Sequence, residues 1–412
     1  MTTTTRLRPL RLSMFLQGLC LWVPVEKLFM TEIGFDARMF GVMAAAYAVV
    51  TPVLEIPSGI LADRWSRRGV LLLAVLALFA SVAVGGLSTN VVTYTISAMI
   101  LGVYFAMQSG TLEAVVYDTV LEESGDSDDY ERQFGRMQVA NSVALVTGSL
   151  AGGVLAELTQ PRTTYLLSLP AYMFAAVALV CFREPRLHRA ADRVGVGEQV
   201  AATVRAITGK RRLLPVVAGA ALGMVLLQML IEFGPLWLVA FGAAAVVFGP
   251  YTAAIMATLG VGGLLAGRVR FSDQRHLAAV SVIVWAGSFL LVVSDSTVVV
   301  IVAQVVLAAV FVVTGIHLSK VLHDEVPSSV RAGVASGVGT LSALVFLPCA
   351  LGFGFVTERF GVPAGGWIVV ALCAAVLGLM WRVRSATSIM PPSAGSRVAT
   401  VDCGRAADTE VA

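Results

Sequence analysis

A chain of 412 residues is long enough for two or three soluble domains, yet 57% of it is hydrophobic and only 13% is charged, about half the charge of a soluble protein. Apolar runs of membrane-spanning length recur throughout, and the short alternating segments of a membrane β-barrel do not occur, so the fold class is an all-α polytopic membrane protein. The formal net charge of +3 is too small to point to a nucleic-acid partner, and five scattered cysteines (Cys20, Cys181, Cys349, Cys373, Cys403) with no Cys-x-x-Cys or Cys/His grouping support neither a disulfide framework nor a metal site.

In chain order, and at about twenty residues per crossing, twelve spans are predicted. They fall at 10–31, 38–61, 69–89, 93–121, 137–157, 164–182, 213–240, 246–267, 277–294, 297–321, 330–356 and 364–383. Arginines precede the first span without a small-residue cleavage site, so it is expected to be retained as a signal anchor. The longest polar interval, 184–212, carries Arg186, Arg189, Arg193, Arg205, Lys210, Arg211 and Arg212 and reads as a linker between a six-helix half at 1–183 and another at 213–384. Residues 385–412 are polar and rich in small side chains, and are expected to be a disordered tail.

Of the 29 Lys/Arg, all but Lys27, Arg38, Arg162 and Arg359 fall in segments on one side of such a topology, or at their edges. The positive-inside rule therefore puts both termini in the cytoplasm. The loop after the fourth span departs from this bias with Glu122, Glu123, Asp126, Asp128, Asp129 and Glu131, but acidic residues weigh little in the rule.

One short charged stretch stands between two long apolar runs. Residues 59–69 read Gly-x-x-x-Asp-Arg-x-x-Arg-Arg, with Gly59, Asp63, Arg64, Arg67 and Arg68. As a bare basic cluster it would be a positive-inside anchor. As a structured loop, its glycine permits close helix approach, and Asp63 and Arg67, four apart, share one face of a helix end. A faint repeat accompanies it: Gly263 to Arg268 echoes 59–64, Phe248-Gly249 echoes Phe40-Gly41, and Arg331 with Ser336 echoes Arg136 with Ser142. Six plus six spans with matching loops suggest parallel halves related by an axis along the membrane normal.

The 59–69 pattern resembles the loop between the second and third helices of major facilitator superfamily (MFS) transporters, and with the span count the likeness covers about residues 8–385. It implies two pseudo-symmetric six-helix halves. It also implies a gate in which Asp63 lies against the N-terminus of the eleventh helix, near Pro327 to Gly333, while Arg67 pairs with an acid ending the fourth, for which Asp118 is the natural mate. A static surface network is the plainer alternative.

Ionisable residues inside spans are costly and tend to face a cavity. Glu26 and Lys27 in the first span, Glu55 in the second, Glu113 in the fourth and Glu232 in the seventh are the candidates for proton coupling or the substrate cavity, with Gln108 and Gln228 as polar lining. Glu55 and Glu113 lie near the expected inner gate and can be braces; Lys27 beside Glu26 can be an interfacial snorkelling pair; the glutamines can serve interhelical hydrogen bonds. Glu26 and Glu232, from helices that line the cavity in the MFS fold, are the better coupling candidates. In the fifth span, Gly148, Ser149, Gly152 and Gly153 resemble an antiporter motif Gly-Pro-x-x-Gly-Gly with serine in place of proline; tight helix packing accounts for the same residues.

No phosphate-binding Gly-x-x-x-x-Gly-Lys-Ser/Thr run or hydrolase signature occurs, so neither ATP-driven transport nor an enzyme is indicated, and no cofactor is expected. The expected function is a secondary transporter of the plasma membrane, moving a small molecule in exchange for protons as a drug or metabolite exporter. The alternatives are an importer or facilitator of a polar metabolite and a non-transporting sensor or scaffold. The expected partners are a small-molecule substrate, a proton and the lipid bilayer, with the chain acting as a monomer and without nucleic acid.

Overall fold

Proline and glycine decide where the first and seventh crossings break. In the computed structural model, which describes residues 3–124, 129–185, 213–266, 271, 273–325 and 331–388, the first crossing is three pieces. A single turn α1 (Thr3–Arg6) leads into α2 (Arg8–Gly18); a 3-10 turn at Val23–Val25 follows, then α3 (Glu26–Glu32). Pro24 sits in that turn, where a missing N–H is tolerated, and the helix restarts beyond it. The seventh crossing repeats the scheme. α9 (Leu213–Phe233) stops at Gly234, and α10 (Pro235–Ala240) begins on a proline.

The other crossings are single helices: α4 (Ala37–Arg64), α5 (Arg67–Leu87), α6 (Val91–Ser124), α7 (Tyr130–Leu158), α8 (Pro161–Cys181), α11 (Ala245–Ala266), α12 (Gln274–Val293), α13 (Thr297–Glu325), α14 (Arg331–Phe360) and α15 (Val362–Ser388). Eleven of the crossings are long and apolar enough to span a membrane, and the apolar helix Ala245–Gly260 supplies the twelfth. Their outer faces carry apolar side chains such as Leu76, Val92, Phe174 and Val282, as a lipid-facing surface requires. Residues 186–212 of the predicted linker (184–212), residues 389–412 of the predicted tail, and Arg268 lie outside the described residues, whereas 385–388, expected to begin the disordered tail, continue α15.

Helix pairing shows the two-half architecture. In the N-terminal half, the first crossing packs on the fifth and sixth, the second on the fourth, and the third on the fourth and sixth. Adding six to each number gives the pairings of the C-terminal half: α9 on α14 and α15, α11 on α13, and α12 on α13 and α15. The broken crossings also end alike. Gly34 (φ 99°) and Gly242 (φ 65°) each take the left-handed conformation that closes a helix, with Phe35 N–H bonded to the Met30 carbonyl and Ala243 N–H to the Leu238 carbonyl.

The halves meet through α4 against α14 and α7 against α11. Both contacts are glycine on backbone, in symmetry-related positions. A Cβ on Gly41 would stand 2.5 Å from the Ala350 carbonyl oxygen and 3.1 Å from the Gly354 Cα. One on Gly249 would stand 2.7 Å from the Ser149 carbonyl oxygen and 3.3 Å from the Gly153 Cα. The Phe-Gly pairs at 40–41 and 248–249 therefore mark where the second helix of each half crosses to the other half.

All these contacts lie at the end of the bundle away from the 59–69 loop, here called the far end. There a single core runs through both halves, from Trp22, Phe29 and Tyr165 to Phe233, Trp237 and Phe353. At the loop end the described residues add two further cores, each confined to one half: Leu10, Val75, Val116 and Phe182 in the first, Val216, Leu318 and Val334 in the second. The halves are thus joined at the far end and parted at the loop end.

Because no side chain fits between the crossing backbones, Gly249→Val is expected to cost about 1–3 kcal/mol by overpacking. Its unfolding midpoint in detergent should fall, while Gly378→Ala, where nothing lies within 4 Å of the added Cβ, leaves the midpoint unchanged or higher.

Candidate functional site

Between the joined far end and the parted loop end lies a cavity of about 380 Å³, within the size range of small-molecule sites. It is walled by both halves: Tyr47 and Thr51 of α4, Phe105 of α6, Gln228 of α9, and Thr340 and Ser342 of α14. Gln228 is thus placed on the cavity. Gln108 is not among its walls; its amide is turned to the Met14 sulfur at 3.3 Å, within the N-terminal half.

One helical turn beyond Gln228, toward the far end, stands Glu232. It accepts a hydrogen bond and ion pair from Lys27 of α3, so the contact joins the two halves. The Lys27 ammonium also lies 3.5 Å from Glu26 Oε2 and 6.0 Å from the Phe40 ring centroid. Only 3% of the Lys27 side chain is exposed, against 20% of Glu26 and 22% of Glu232. Such burial rules out a lysine snorkelling to the interface; the ammonium points inward, because two carboxylates wait there.

Two residues that sequence reasoning missed complete the group. Tyr94 donates to Glu26 Oε1 at 3.0 Å, and its hydroxyl is 2.7 Å from that of Tyr165. Both tyrosines are buried, and nothing in their local sequence distinguishes them from packing aromatics. The structure thus brings Glu26, Lys27 and Glu232 together at the far side of the cavity. It does not bring Glu113 there, which is exposed on α6; the Glu55 side chain lies outside the described residues.

The fifth-span glycines serve two different neighbours. Gly148 and Gly152 face the broken stretch of the first crossing, where an added Cβ would stand 3.0 Å from the Cys20 nitrogen and 2.0 Å from the Leu21 carbonyl oxygen respectively. Gly153 instead faces Gly249 in the other half, at 2.7 Å from its nitrogen. Nearby, Glu157 accepts from the Val246 N–H at 3.2 Å, a second polar link between the halves.

The 59–69 loop differs from expectation in two respects. Asp63 and Arg67 do not share a helix face, because α4 ends at Arg64 and α5 starts at Arg67. Ser66 breaks the helix: its extended backbone and its hydroxyl, which accepts from Gly69 N–H at 2.9 Å, make it the cap of α5. Nor does Gly59 serve a close approach. It is exposed, and among the described residues nothing lies within 4 Å of its built Cβ, since the halves are parted at this end. The Asp63 side chain and residues 327–330 lie outside the described residues, so the expected contact with the start of α14 does too.

Arg67 does pair with Asp118, and both are largely buried. A further acid joins them. Glu184 accepts from the Arg67 N–H and the Ser66 hydroxyl, each at 2.6 Å, and so holds the start of α5 to the chain leaving α8. Arg68 donates to the Phe182 carbonyl at 3.2 Å, and Arg64 is exposed. Arg6 bridges Glu123 at 2.8 Å and the Glu184 carbonyl at 3.3 Å, tying α1 to the ends of α6 and α8. The sequence shows Glu184 as an acid where an apolar span gives way to a basic stretch, but nothing in it names the start of α5 as its partner.

Comparison with known proteins adds the following. A family profile described as Major Facilitator Superfamily matches residues 11–347. The chain is 26% identical over 176 residues to the multi-drug resistance efflux pump PmrA of Streptococcus pneumoniae serotype 4, covering 41% of this chain and 42% of that protein. It is 24% identical over 168 residues to multidrug resistance protein 1 of Bacillus subtilis (41% and 42%). These alignments span about two-fifths of the relatives' length. Among solved structures, the nucleoside transporter NupG superposes with a TM-score of 0.73 at 13% identity, covering 93% of this chain and 99% of that one. A D-xylose–proton symporter gives 0.68 at 13% identity, covering 91% and 97%.

Lys27→Met would leave two carboxylates buried with no cation. A loss of about 3–5 kcal/mol is expected, read as a lowered unfolding midpoint, and adding Glu232→Gln should recover part of it. Equal midpoints for Lys27→Met and wild type would contradict the buried-pair description.

Proposed function

The chain belongs to the major facilitator superfamily, and on that footing we propose that this secondary transporter exports a small molecule across the plasma membrane in exchange for protons, by alternating access. The observation that carries the reading is the Glu26–Lys27–Glu232 group, buried, spanning the two halves, and set at the far side of a cavity between them. An ion pair across the interface favours the state in which the far end is joined, and protonation of the carboxylate that reaches across weakens it. That couples a proton to the choice between two rocking positions.

The Lys/Arg distribution supports a cytoplasmic loop end, with both termini inside. On that orientation the joined far end faces outward, and the cavity communicates with the cytoplasm. Arg67, Asp118 and Glu184 then brace the inner end of the N-terminal half, and Asp63 is the residue for the other half to meet when the inner end shuts. The export direction draws on the printed names of the partial relatives, the S. pneumoniae pump and the B. subtilis resistance protein.

A second reading, import of a polar metabolite, draws on the cavity itself. Thr51, Gln228, Thr340 and Ser342 offer hydroxyl and amide groups to a polar cargo. Structures of similar fold carry the names of a nucleoside transporter and a sugar–proton symporter.

Purified protein in proteoliposomes, loaded with a panel of amphipathic compounds or polar metabolites, decides between them. Export by exchange predicts that a lumen made acidic relative to the medium drives cargo uptake into vesicles holding the carrier inside-out, and that collapsing the gradient abolishes it. Flux indifferent to the gradient would refute the coupling. Asp63→Asn is expected to slow transport without reducing the amount of protein inserted, and unchanged flux would remove Asp63 from the gate.

A further inference from the structure

The three charged groups at the far end are not equivalent, because they are not held by the same half. Glu26 and Lys27 are neighbours on α3, and Glu26 is further fixed by the Tyr94 hydroxyl, itself backed by Tyr165 of α8. Every one of these attachments lies within the N-terminal half and survives a motion of one half against the other. Glu232 stands in the other half, and among the described residues its hydrogen bond comes from Lys27 alone. It also lies in the last turn of α9, where the helix dipole disfavours negative charge.

The charge count then has a consequence. Two carboxylates and one ammonium share the joined state, so the group is one positive charge short. When the far end opens, Lys27 stays with Glu26, and Glu232 keeps no cation. A bare carboxylate among apolar side chains is the costly species, so opening is linked to the arrival of one positive charge there. The groups facing Glu232 are few. Lys27 and Glu26 approach from α3, and Tyr47 faces both acids from α4. Of the stretches of α13, α14 and α15 nearest this end, 297–314 and 362–381 carry no charged side chain, and α14 carries Glu358 and Arg359 in its exposed last turn.

We propose that Glu232 is the exchange site of this carrier, binding one proton each time the far end opens, whereas Glu26 is a positioning residue that keeps Lys27 on the N-terminal half. This rests on the proton-coupled reading above and divides its two candidate acids. It makes an uncommon prediction: neutralising the two partners of one lysine moves the conformational balance in opposite directions. Glu232→Gln removes the link between halves and favours the open far end. Glu26→Gln leaves Lys27 with Glu232 as its one carboxylate, so opening would strand a buried ammonium, and the joined state gains.

The experiment is pulsed electron–electron resonance on full-length protein in lipid nanodiscs, without cargo, with spin labels at the exposed Leu158 and Phe360, one at the far end of each half. In otherwise wild-type protein, acidification should lengthen the distance. Glu232→Gln should raise the long-distance population about tenfold or more at alkaline pH, as loss of a buried pair implies, and abolish the response to acid. Glu26→Gln should lower that population. If it does not fold, Glu26→Asp, which withdraws the carboxylate by one methylene, should shift the balance the same way by a smaller factor. Shifts of the same sign for the two acids, or a wild-type acid response in Glu232→Gln, would overturn the assignment. Gradient-independent transport by the wild type would instead overturn the coupling, a result these distances do not depend on.

Discussion

An ammonium group buried inside a membrane bundle cannot stand without a carboxylate, and much of this structure follows from how that demand is met. Lys27 has two carboxylates within reach, one on its own helix and one on the opposite half. The buried pair adds little net stability against an apolar substitute. Its effect is on geometry, because the second carboxylate is reached only when α3 and α9 approach across the interface. A charge that must be paired thereby becomes a reporter of how the halves are arranged.

Backbone irregularity makes that approach possible. Both crossings that carry the group are interrupted near it, at Pro24 and at Gly234–Pro235. Within a bilayer, broken helices are tolerated only where protein covers the exposed backbone. Here α7 does so for the first crossing: Gly148 and Gly152 bring its surface against Leu19–Leu21, and Gln304 donates to the Gly234 carbonyl at 3.4 Å in the seventh. Gly153, one residue on, belongs to a different contact and lets α7 touch α11. One short glycine run therefore supports both the irregular crossing and the joint between halves.

The loop end is built on another principle, since polar groups there can be solvated. Ser66 ends one helix run and begins the next, and Glu184 draws the start of α5 to the segment leaving α8. Arg67 with Asp118 and Arg6 with Glu122 and Glu123 extend the same ties. All of these lie inside the N-terminal half, so they stiffen it as a body without joining it to the other, in keeping with the two further cores at this end, each confined to one half.

Composition and apolar run length were enough to establish an all-helical membrane protein with twelve crossings, because lipid leaves the backbone no other way to satisfy its hydrogen bonds. The 59–69 pattern and the Phe-Gly repeats carried the family and its two-half plan for the same reason: fixed turns and close backbone contacts need particular residues at fixed spacing. Pairing Arg67 with Asp118 was legible only through the family resemblance, which implies an acid at the end of the fourth helix as the partner of that arginine. The helix break at Ser66, the cap from Glu184, the tyrosines behind Glu26 and the meeting of Lys27 with Glu232, 205 residues away, were not. Each depends on which helix lies beside which, and on whether the halves are joined or parted at that end. Sequence spacing along a single helix contains neither fact; only the packed bundle decides them.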